Sequence, residues 1–568
     1  MNNVIECVPN ISNGRDPEVY NAVAAEVRGV SGAVLLAVEP GADTNRTVIT
    51  FAGEPEGVME AAFRVVRKAA ELIDMRHHHG THPRHGATDV CPFVPVAGVT
   101  LEDCAEYARQ VGRRIGEELG IPVWLYEYAA SRPERRNLAD LRAGEYEALP
   151  GKLGKAEWAP DFGPNAWTEH TARSGVCTVG ARKFLIAFNI NFNTRNHKLI
   201  NDIALDIREK GRIARDERGR FVRDAHGQLV YQPGMFAKCK AMGWYIPQYN
   251  KAQLTMNLTD FEETPPHEVF DAVCDLAAER GLRVTGSELV GLIPLGAMRE
   301  AGAYFLEKQQ QVCTGVSERE LIRIAVDSMG LAEIAPWDSK KKIIEYAIED
   351  SPRPLLNMTL RDFADELASV SPAPGGGSVA ALAGAMAAGL AAMVPNLTVG
   401  KKGYKKVRDE MNSVAEEAQA LKDEFLKAID DDTAAFNRLM DCYGLPKGTD
   451  GEQAARAKAI LEATIGATEV PLATLARTAR TLELCRAVAE RGNQNSLSDS
   501  GVGGAMALAC ATGAYYNVLI NLNGMDTSSP ALAEYAAQTR AKADEYYKQA
   551  QAGAAAVQAV LRKGLGFE

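Results

Sequence analysis

Residues 411–439 read MNSVAEEAQALKDEFLKAIDDDTAAFNRL. Apolar residues recur at Met411, Val414, Ala418, Leu421, Phe425, Ile429, Phe436 and Leu439, three or four apart with one gap. That period gathers them on one stripe of a helix, with charged residues on the opposite face. The gap falls at Asp432, which lies on the stripe, whereas Asp430 and Asp431 fall off it and are expected to be solvated. A carboxyl on an apolar face loses the hydration of its charged form. Its pKa rises, which suits it to donate a proton near neutral pH. The plainer alternative is a buried Asp that caps a neighbouring backbone.

The helical period continues on both sides of this stretch. It predicts helices over 358–370, 377–394, 402–441, 452–491, 500–521 and 530–562, an all-α bundle. Thr359 with Asp362 gives the capping pattern for the first. Just upstream, a charged helix at Ser339–Glu349 is broken by Ser351-Pro352-Arg353-Pro354, which marks a linker. Earlier still the pattern changes. Ala33–Glu39, Arg46–Ala52, Cys91–Val96 and Pro122–Tyr126 read as strands, with helices at Pro55–Asp74 and Leu101–Leu119. A second unit begins near Gly180. It has strands at Phe184–Ile190, Gln253–Leu258 and within Val284–Leu292, and helices at Lys198–Glu209, Pro266–Arg280 and Ser317–Met329. The first half is therefore expected to be α/β or α+β and the second half all-α.

Composition narrows the functions. The chain has 568 residues, a net charge of −11, 46% hydrophobic and 24% charged residues, the balance of a soluble globular protein. An acidic chain is not built for general nucleic-acid binding, so no nucleic-acid partner is expected. Ten Cys without a CxxC pair are too sparse for a disulfide scaffold, and reduced thiols in a cytoplasm are the simple reading. MNNVIECVPN lacks the charged-then-apolar pattern of a signal peptide. Ser378–Val394 is apolar but short and built of small residues, which reads as a buried helix and not a membrane span. All nine His lie at or before 267. Acid–base chemistry in the C-terminal half must use a carboxylate, Lys, Cys or Tyr with a shifted pKa.

Four further stretches could carry chemistry. Arg76–Gly86 holds five His, without the spacing of a zinc site, so no metal is expected. Within it His82 is pushed towards extended backbone by Pro83, the flanking Gly80 and Gly86 permit close approach, and Arg84 could hold an anion; surface histidines are the alternative. Asp161-Phe162-Gly163-Pro164, followed by Gly175 and Gly180-Ala181-Arg182-Lys183, is a glycine-bearing loop without a nucleotide-binding pattern; a surface loop is its plain reading. Pro374-Gly375-Gly376-Gly377-Ser378 enters a helix with bare N–H groups suited to an anionic or carbonyl ligand, or else is a flexible link to a tightly packed helix. Gly492–Asp499 opens another helix, where Asp499 serves as a cap or as a ligand contact, and Asn517 and Asn521 lie a turn apart further along. Arg212–Gly234 is charged and turn-rich, with a projecting hairpin over Phe221–Tyr231 across Ala225-His226-Gly227; its arginines read as solvated surface, or else as contacts to an anionic ligand tail or a partner subunit.

Taken together these segments resemble the formimidoyltransferase-cyclodeaminase family, bifunctional folate enzymes of histidine breakdown. In the first half the resemblance rests on Glu6-Cys7-Val8-Pro9-Asn10, Thr44-Asn45-Arg46-Thr47, Gly80–Gly86, Asp89-Val90-Cys91-Pro92-Phe93, Ala143–Glu147, Asp161–Pro164 and Gly180–Phe184. In the second it rests on Ala373–Ala380, Asp432 with Phe436, Ser498-Asp499 and Tyr516–Leu522. The resemblance implies transferase subdomains over 1–178 and 179–333, a linker helix over 334–356 and a cyclodeaminase bundle over 357–568. It implies that His82 and Asp432 are the catalytic acid–base groups. Folate or substrate contacts are then expected at Gly163, Pro164, Gly175, Arg84, Arg46, Gly375, Gly376, Gly377, Ser378 and Asp499. Tetrahydrofolate, polyglutamylated forms included, and N-formimino-L-glutamate are the implied substrates, without metal or nucleotide. A homo-oligomer of dimers is implied, with helices of two subunits forming each cyclodeaminase site. Rival readings on the same fold are a formylglutamate transferase or a methenyltetrahydrofolate cyclohydrolase. A His-cluster metallohydrolase and a folate-binding protein without turnover are further rivals.

Overall fold

The computed structural model describes residues 3–42, 44–80, 82–349, 353–525 and 527–566. Ser351 and Pro352 of the expected linker lie outside them, as does Thr81 of the histidine-rich loop. The chain divides into two compact units, residues 1–301 with 325–350, and residues 302–324 with 351–568.

The first unit contains a seven-stranded sheet of β1 (Val4–Cys7), β2 (Asn10–Ile11), β3 (Ala33–Gly41), β4 (Arg46–Gly53), β5 (Thr88–Ala97), β6 (Val123–Glu127) and β7 (Cys177–Ala181). β3 pairs with β4, and β1 and β2 lie between β4 and β5, all antiparallel. β7 is parallel to both β5 and β6. Strand alternation sorts the side chains. Ile5, Cys7, Ile49, Phe51, Val123 and Val179 join the main core, which also takes residues of helices Pro17–Arg28, Pro55–Leu72 and Leu101–Leu119. Glu6, Arg46, Trp124 and Thr178 alternate with these core residues. That opposite face carries the polar groups described below.

A two-stranded ribbon, β8 (Ile186–Phe192) aside, separates this sheet from the next: β9 (Arg212–Ile213) pairs with β10 (Tyr231–Gln232). Beyond it the expected hairpin turns across Ala225-His226-Gly227, closed by the bridge Arg223–Leu229, and a further tight turn closed by Arg215–Phe221 precedes it. The second sheet is antiparallel in the order β11 (Cys239–Ile246), β12 (Lys251–Leu258), β8, β13 (Val284–Val290). Phe188 packs against Phe270 of helix Pro266–Glu279. On the opposite side Gln253 Nε2 donates to Asn191 Oδ1 at 2.9 Å and to Glu288 Oε2 at 3.1 Å.

The expected helix at Ser339–Glu349 is corrected to two short turns, Ser339–Lys342 and Ile344–Ala347. Ile343 is extended because Ile293 pairs beside it: Ile293 N donates to Lys342 O, and Ile344 N to Ile293 O. No local sequence signal marks that long-range pairing.

The second unit is the expected bundle. Helices Gly376–Asn396, Arg408–Tyr443, Asp450–Arg491, Leu497–Asn523 and Pro530–Leu565 form it, preceded by Leu360–Leu367. The Gly376–Asn396 helix is packed closely on three others, and its alanines and glycines permit that approach. It is long and apolar enough to cross a membrane by composition, as are Asp450–Arg491 and Gln494–Asn523; 67% of its most apolar window is buried within the bundle. Residues 302–324 pack with the bundle, where Asn396 Nδ2 and Gln419 Nε2 both donate to Gly315 O.

Candidate active sites

The histidine-rich loop leads into β5 on the polar face of the first sheet. His85 is fully buried, with its ring edge-on to Trp124 and Nε2 against Thr178 Oγ1. Burial pulls its pKa down to about 4, so it is neutral. His78 Nε2 meets Asn45 O at 2.8 Å, and its ring is likewise held neutral by burial. His82 is the half-buried member of the loop. Its Nδ1 lies 2.8 Å from Arg46 Nη1 and 2.7 Å from Pro83 O. Burial first, and then the Arg46 cation, hold its pKa below the ordinary imidazole value. A neutral imidazole at the start of a reaction is a base.

An ionic frame surrounds His82. Arg46 Nη1 donates to Asp89 Oδ2 at 3.1 Å and Arg46 Nε to Asn10 Oδ1 at 3.0 Å. Arg142 bonds the same Asp89 oxygen, and His85 N donates to the other at 3.0 Å. Burial works to raise the Asp89 pKa, yet His85, Arg142 and Arg46 hold it below the usual range. Asp89 and Arg142 were given no role on sequence grounds. The available signal was a carboxylate opening the otherwise apolar run Val90–Ala97.

Arg84 takes a different place from the one expected. It is buried, its guanidinium forks onto Glu147 at 2.7 and 2.8 Å, and it reaches Glu145 at 3.0 Å and His78 Nδ1 at 3.2 Å. Its charge is engaged within the protein and is not available to a ligand in this arrangement. Gly163, Pro164 and Gly175 bracket the loop that runs between the start of β6 and the start of β7. Gly163 has φ +84° and is held against Ile121 O and Gly116. Gly175 has φ +65° and touches His85 and Gly86, where any Cβ would collide with His85 O. The structure thus brings Gly175 to the histidine loop. Near the other ends of β6 and β7, Arg182, Lys183, Lys238 and Lys240, together with Glu127 and Asp260, line a cavity of about 300 Å³, in which Lys183 is paired with Asp260 at 2.6 Å. Close by, burial pushes Glu6 up to about 7 against the pull of Arg182.

The second site lies wholly in the bundle. Asp432 is half-buried against the start of helix Gly376–Asn396. The Ser378 hydroxyl lies 2.8 Å from Ile429 O, 3.1 Å from Thr433 Oγ1 and 3.3 Å from Asp432 Oδ2. A Cβ on residue 377 would collide with the Asp432 carboxylate, so only glycine admits this contact. Burial raises the Asp432 pKa, and the Ser378 side chain and backbone N–H oppose it. Gly375, Gly376, Gly377 and Ser378 are therefore gathered at Asp432. Asn517 joins them from helix Leu497–Asn523, its Nδ2 3.4 Å from where a Gly376 side chain would begin. Asp499 does not. It sits in the first turn of the same helix, 18 residues from Asn517, which at the helical rise is about 27 Å along the axis.

Two expectations for the acidic triplet are revised. Asp430 is buried, not solvated, and accepts from Leu355 N at 3.0 Å and Leu356 N at 3.1 Å. Asp431 is half-buried. The backbone-capping role weighed for Asp432 belongs to Asp430.

Comparison with known proteins agrees with this division into two sites. Residues 4–182 match the N-terminal subdomain of the formiminotransferase domain, 187–349 the formiminotransferase domain and 359–545 the formiminotransferase-cyclodeaminase domain. The formimidoyltransferase-cyclodeaminase of Sus scrofa is 42% identical over 559 residues, covering 98% of each chain. The chain belongs to the formimidoyltransferase-cyclodeaminase family. Its halves also have separate counterparts. The glutamate formimidoyltransferase of Streptococcus pyogenes serotype M1 is 39% identical over 54% of this chain and 94% of its own. The methenyltetrahydrofolate cyclohydrolase of Methylorubrum extorquens is 46% identical over 30% of this chain and 82% of its own. In this member of the family, the imidazole and the raised carboxyl lie on separate compact units.

Proposed function

We propose that the chain moves the formimino group of N-formimino-L-glutamate to N5 of tetrahydrofolate, then closes 5-formimidoyltetrahydrofolate to 5,10-methenyltetrahydrofolate with release of ammonia, two steps of histidine breakdown. The observation that carries the reading is the pair of acid–base groups with opposite pKa shifts, His82 lowered and Asp432 raised. Near-full-length relatives bearing both activities in their name support it.

In the transfer, N5 attacks the amidine carbon and its proton passes to His82. The bond from that carbon to the glutamate nitrogen breaks, and the imidazolium returns the proton to that nitrogen. In the cyclisation, N10 attacks the same carbon and its proton passes to the terminal nitrogen, Asp432 gives that nitrogen a second proton, and the bond from carbon to it breaks as ammonia leaves. The glycine turn at Gly375–Ser378 would place N–H groups and Asn517 around the reacting centre. Tetrahydrofolate is a co-substrate, and no step calls for a metal or nucleotide. The cavity beside Arg182, Lys238 and Lys240 suits a polyglutamate tail.

We place the enzyme in the cytoplasm, supported by ten free thiols. We further propose a homo-oligomer built through the bundle. Val379 and Met386 on helix Gly376–Asn396, and Val502, Tyr516 and Ile520 on its neighbour, are each at least 37% exposed, an apolar face that a second copy would cover. Light scattering tests it; a monomer with full cyclodeaminase activity would contradict it.

The deciding experiment follows methenyltetrahydrofolate by absorbance with paired ammonia measurement, from N-formimino-L-glutamate and tetrahydrofolate. One ammonia per methenyltetrahydrofolate is expected. The relative named methenyltetrahydrofolate cyclohydrolase favours a second reading of the bundle, hydrolysis of 5,10-methenyltetrahydrofolate. Loss of that compound without ammonia would select it.

A further inference from the structure

We propose that Arg46 and the Pro83 carbonyl compete for a single nitrogen of His82, so that Arg46 is a positioning residue that sets which ring nitrogen carries the proton. This rests on reading His82 as the acid–base group of the transferase. His82 Nδ1 lies 2.8 Å from Arg46 Nη1 and 2.7 Å from Pro83 O. A guanidinium only donates and a carbonyl only accepts. One nitrogen cannot serve both at once. Bare Nδ1 accepts from Arg46, and the neutral ring then carries its proton on Nε2. Protonated Nδ1 donates to Pro83 O, and Nε2 is then bare. Only the second form can take a proton at Nε2. The first is silent as a base there.

Arg46 is held at this branch point from behind. Asp89 Oδ2 lies 3.1 Å from Nη1, and Asn10 Oδ1 lies 3.0 Å from Nε. Asp89 is itself only 1% exposed and shared with Arg142 and the His85 backbone. The charged groups that act on His82 are Arg46 on β4, Asp89 on β5 and Arg142 from the turn after Leu138–Leu141. Two cations and one anion leave one positive charge in excess. That excess disfavours the imidazolium. Arg46 therefore acts on both equilibria of the ring: it keeps the ring neutral, and it draws the neutral ring towards the Nε2–H tautomer.

The test uses the full chain, with ¹⁵N-labelled histidine and His82 assigned by comparison with H82A. In the free enzyme the Nε2–H tautomer of His82 is expected to be populated. In R46M, whose side chain keeps no N–H donor, the signal should move to the Nδ1–H tautomer bonded to Pro83. In the pH profile of transfer kcat/KM, the acid limb of R46Q should move up by about half to one pH unit, because removing a neighbouring cation raises an imidazole pKa. R46K keeps the charge, so its acid limb should return towards that of the parent chain. An unmoved tautomer in R46M would overturn the proposal. So would a uniform loss of transfer at every pH with the limb in place, as a purely structural or substrate-holding arginine would give. Ammonia release by the bundle from supplied 5-formimidoyltetrahydrofolate serves as the folding control. The tautomer measurement needs no substrate. A shifted tautomer in a chain unable to transfer formimino groups would refute the transferase reading and leave this inference standing.

Discussion

On the proposed reading, the two halves of the molecule meet a similar demand, a proton moved at a nitrogen, from opposite starting points. In the α/β half the group is an imidazole, and burial beside Arg46 lowers its pKa so that it begins as a base. In the bundle the group is a carboxyl, and burial raises its pKa so that it is a better acid. Burial disfavours the charged form in both places, and the sign differs because one charged form is a cation and the other an anion. The fold matters in how each group is held. His82 sits in an ionic frame drawn from β4, β5 and the loop near Arg142, whereas Asp432 sits under a turn of glycine backbone with a single hydroxyl beside it.

The comparison can be broken most directly at the two groups themselves. His82→Ala should lower formimino transfer by about 100-fold or more and leave ammonia release from supplied 5-formimidoyltetrahydrofolate unchanged. Asp432→Asn should do the reverse by a similar factor, with the 5-formimidoyl compound accumulating. Initial rates of both half-reactions for each variant check this; a variant that damaged both alike would remove the claim of separate chemistry. Next in size is Gly377→Ala. Its Cβ would displace the Asp432 carboxyl, so ammonia release should fall by about 10- to 100-fold with transfer intact.

Smaller, but diagnostic of sign, is the pH dependence. His82 must be neutral to accept a proton, so transfer should fall as pH drops through its lowered pKa. Asp432 must be protonated to act, so cyclisation should fall as pH rises through its raised pKa. Two limbs of the same direction in the separate half-reactions would contradict the pairing of opposite shifts. The smallest effect on chemistry is expected for Asp430→Asn. An amide cannot accept from both Leu355 N and Leu356 N, so stability should drop by about 1–3 kcal/mol by denaturant unfolding, while turnover per folded chain changes far less than in Asp432→Asn.

What could be read from the sequence follows the range of the interaction that decides it. The bundle was legible because its helices are long and their period is local. Asp432 was legible because one carboxyl interrupts a stripe of apolar residues. Asp430 was misread because residues 355 and 356 bury it, and nothing near 430 announces their arrival. The ion pairs of Arg84 were not legible for the same reason: Glu145 and Glu147 lie some sixty residues away. Strands β1, β7 and β11 escaped notice because they are short or interrupted by glycine, and their neighbours in the sheet define them. Asp499 and Asn517 share one helix, and only its length and packing decide which end meets Asp432.

The most direct test of two chemically separate sites is complementation in solution. H82A and D432N are each given N-formimino-L-glutamate and tetrahydrofolate, alone and then mixed. Alone, neither should form 5,10-methenyltetrahydrofolate. Mixed, D432N should supply 5-formimidoyltetrahydrofolate and H82A should cyclise it, so that methenyltetrahydrofolate and ammonia appear together after a lag. A mixture that stays inactive while each variant remains folded, or a single variant that completes both steps alone, would contradict the account.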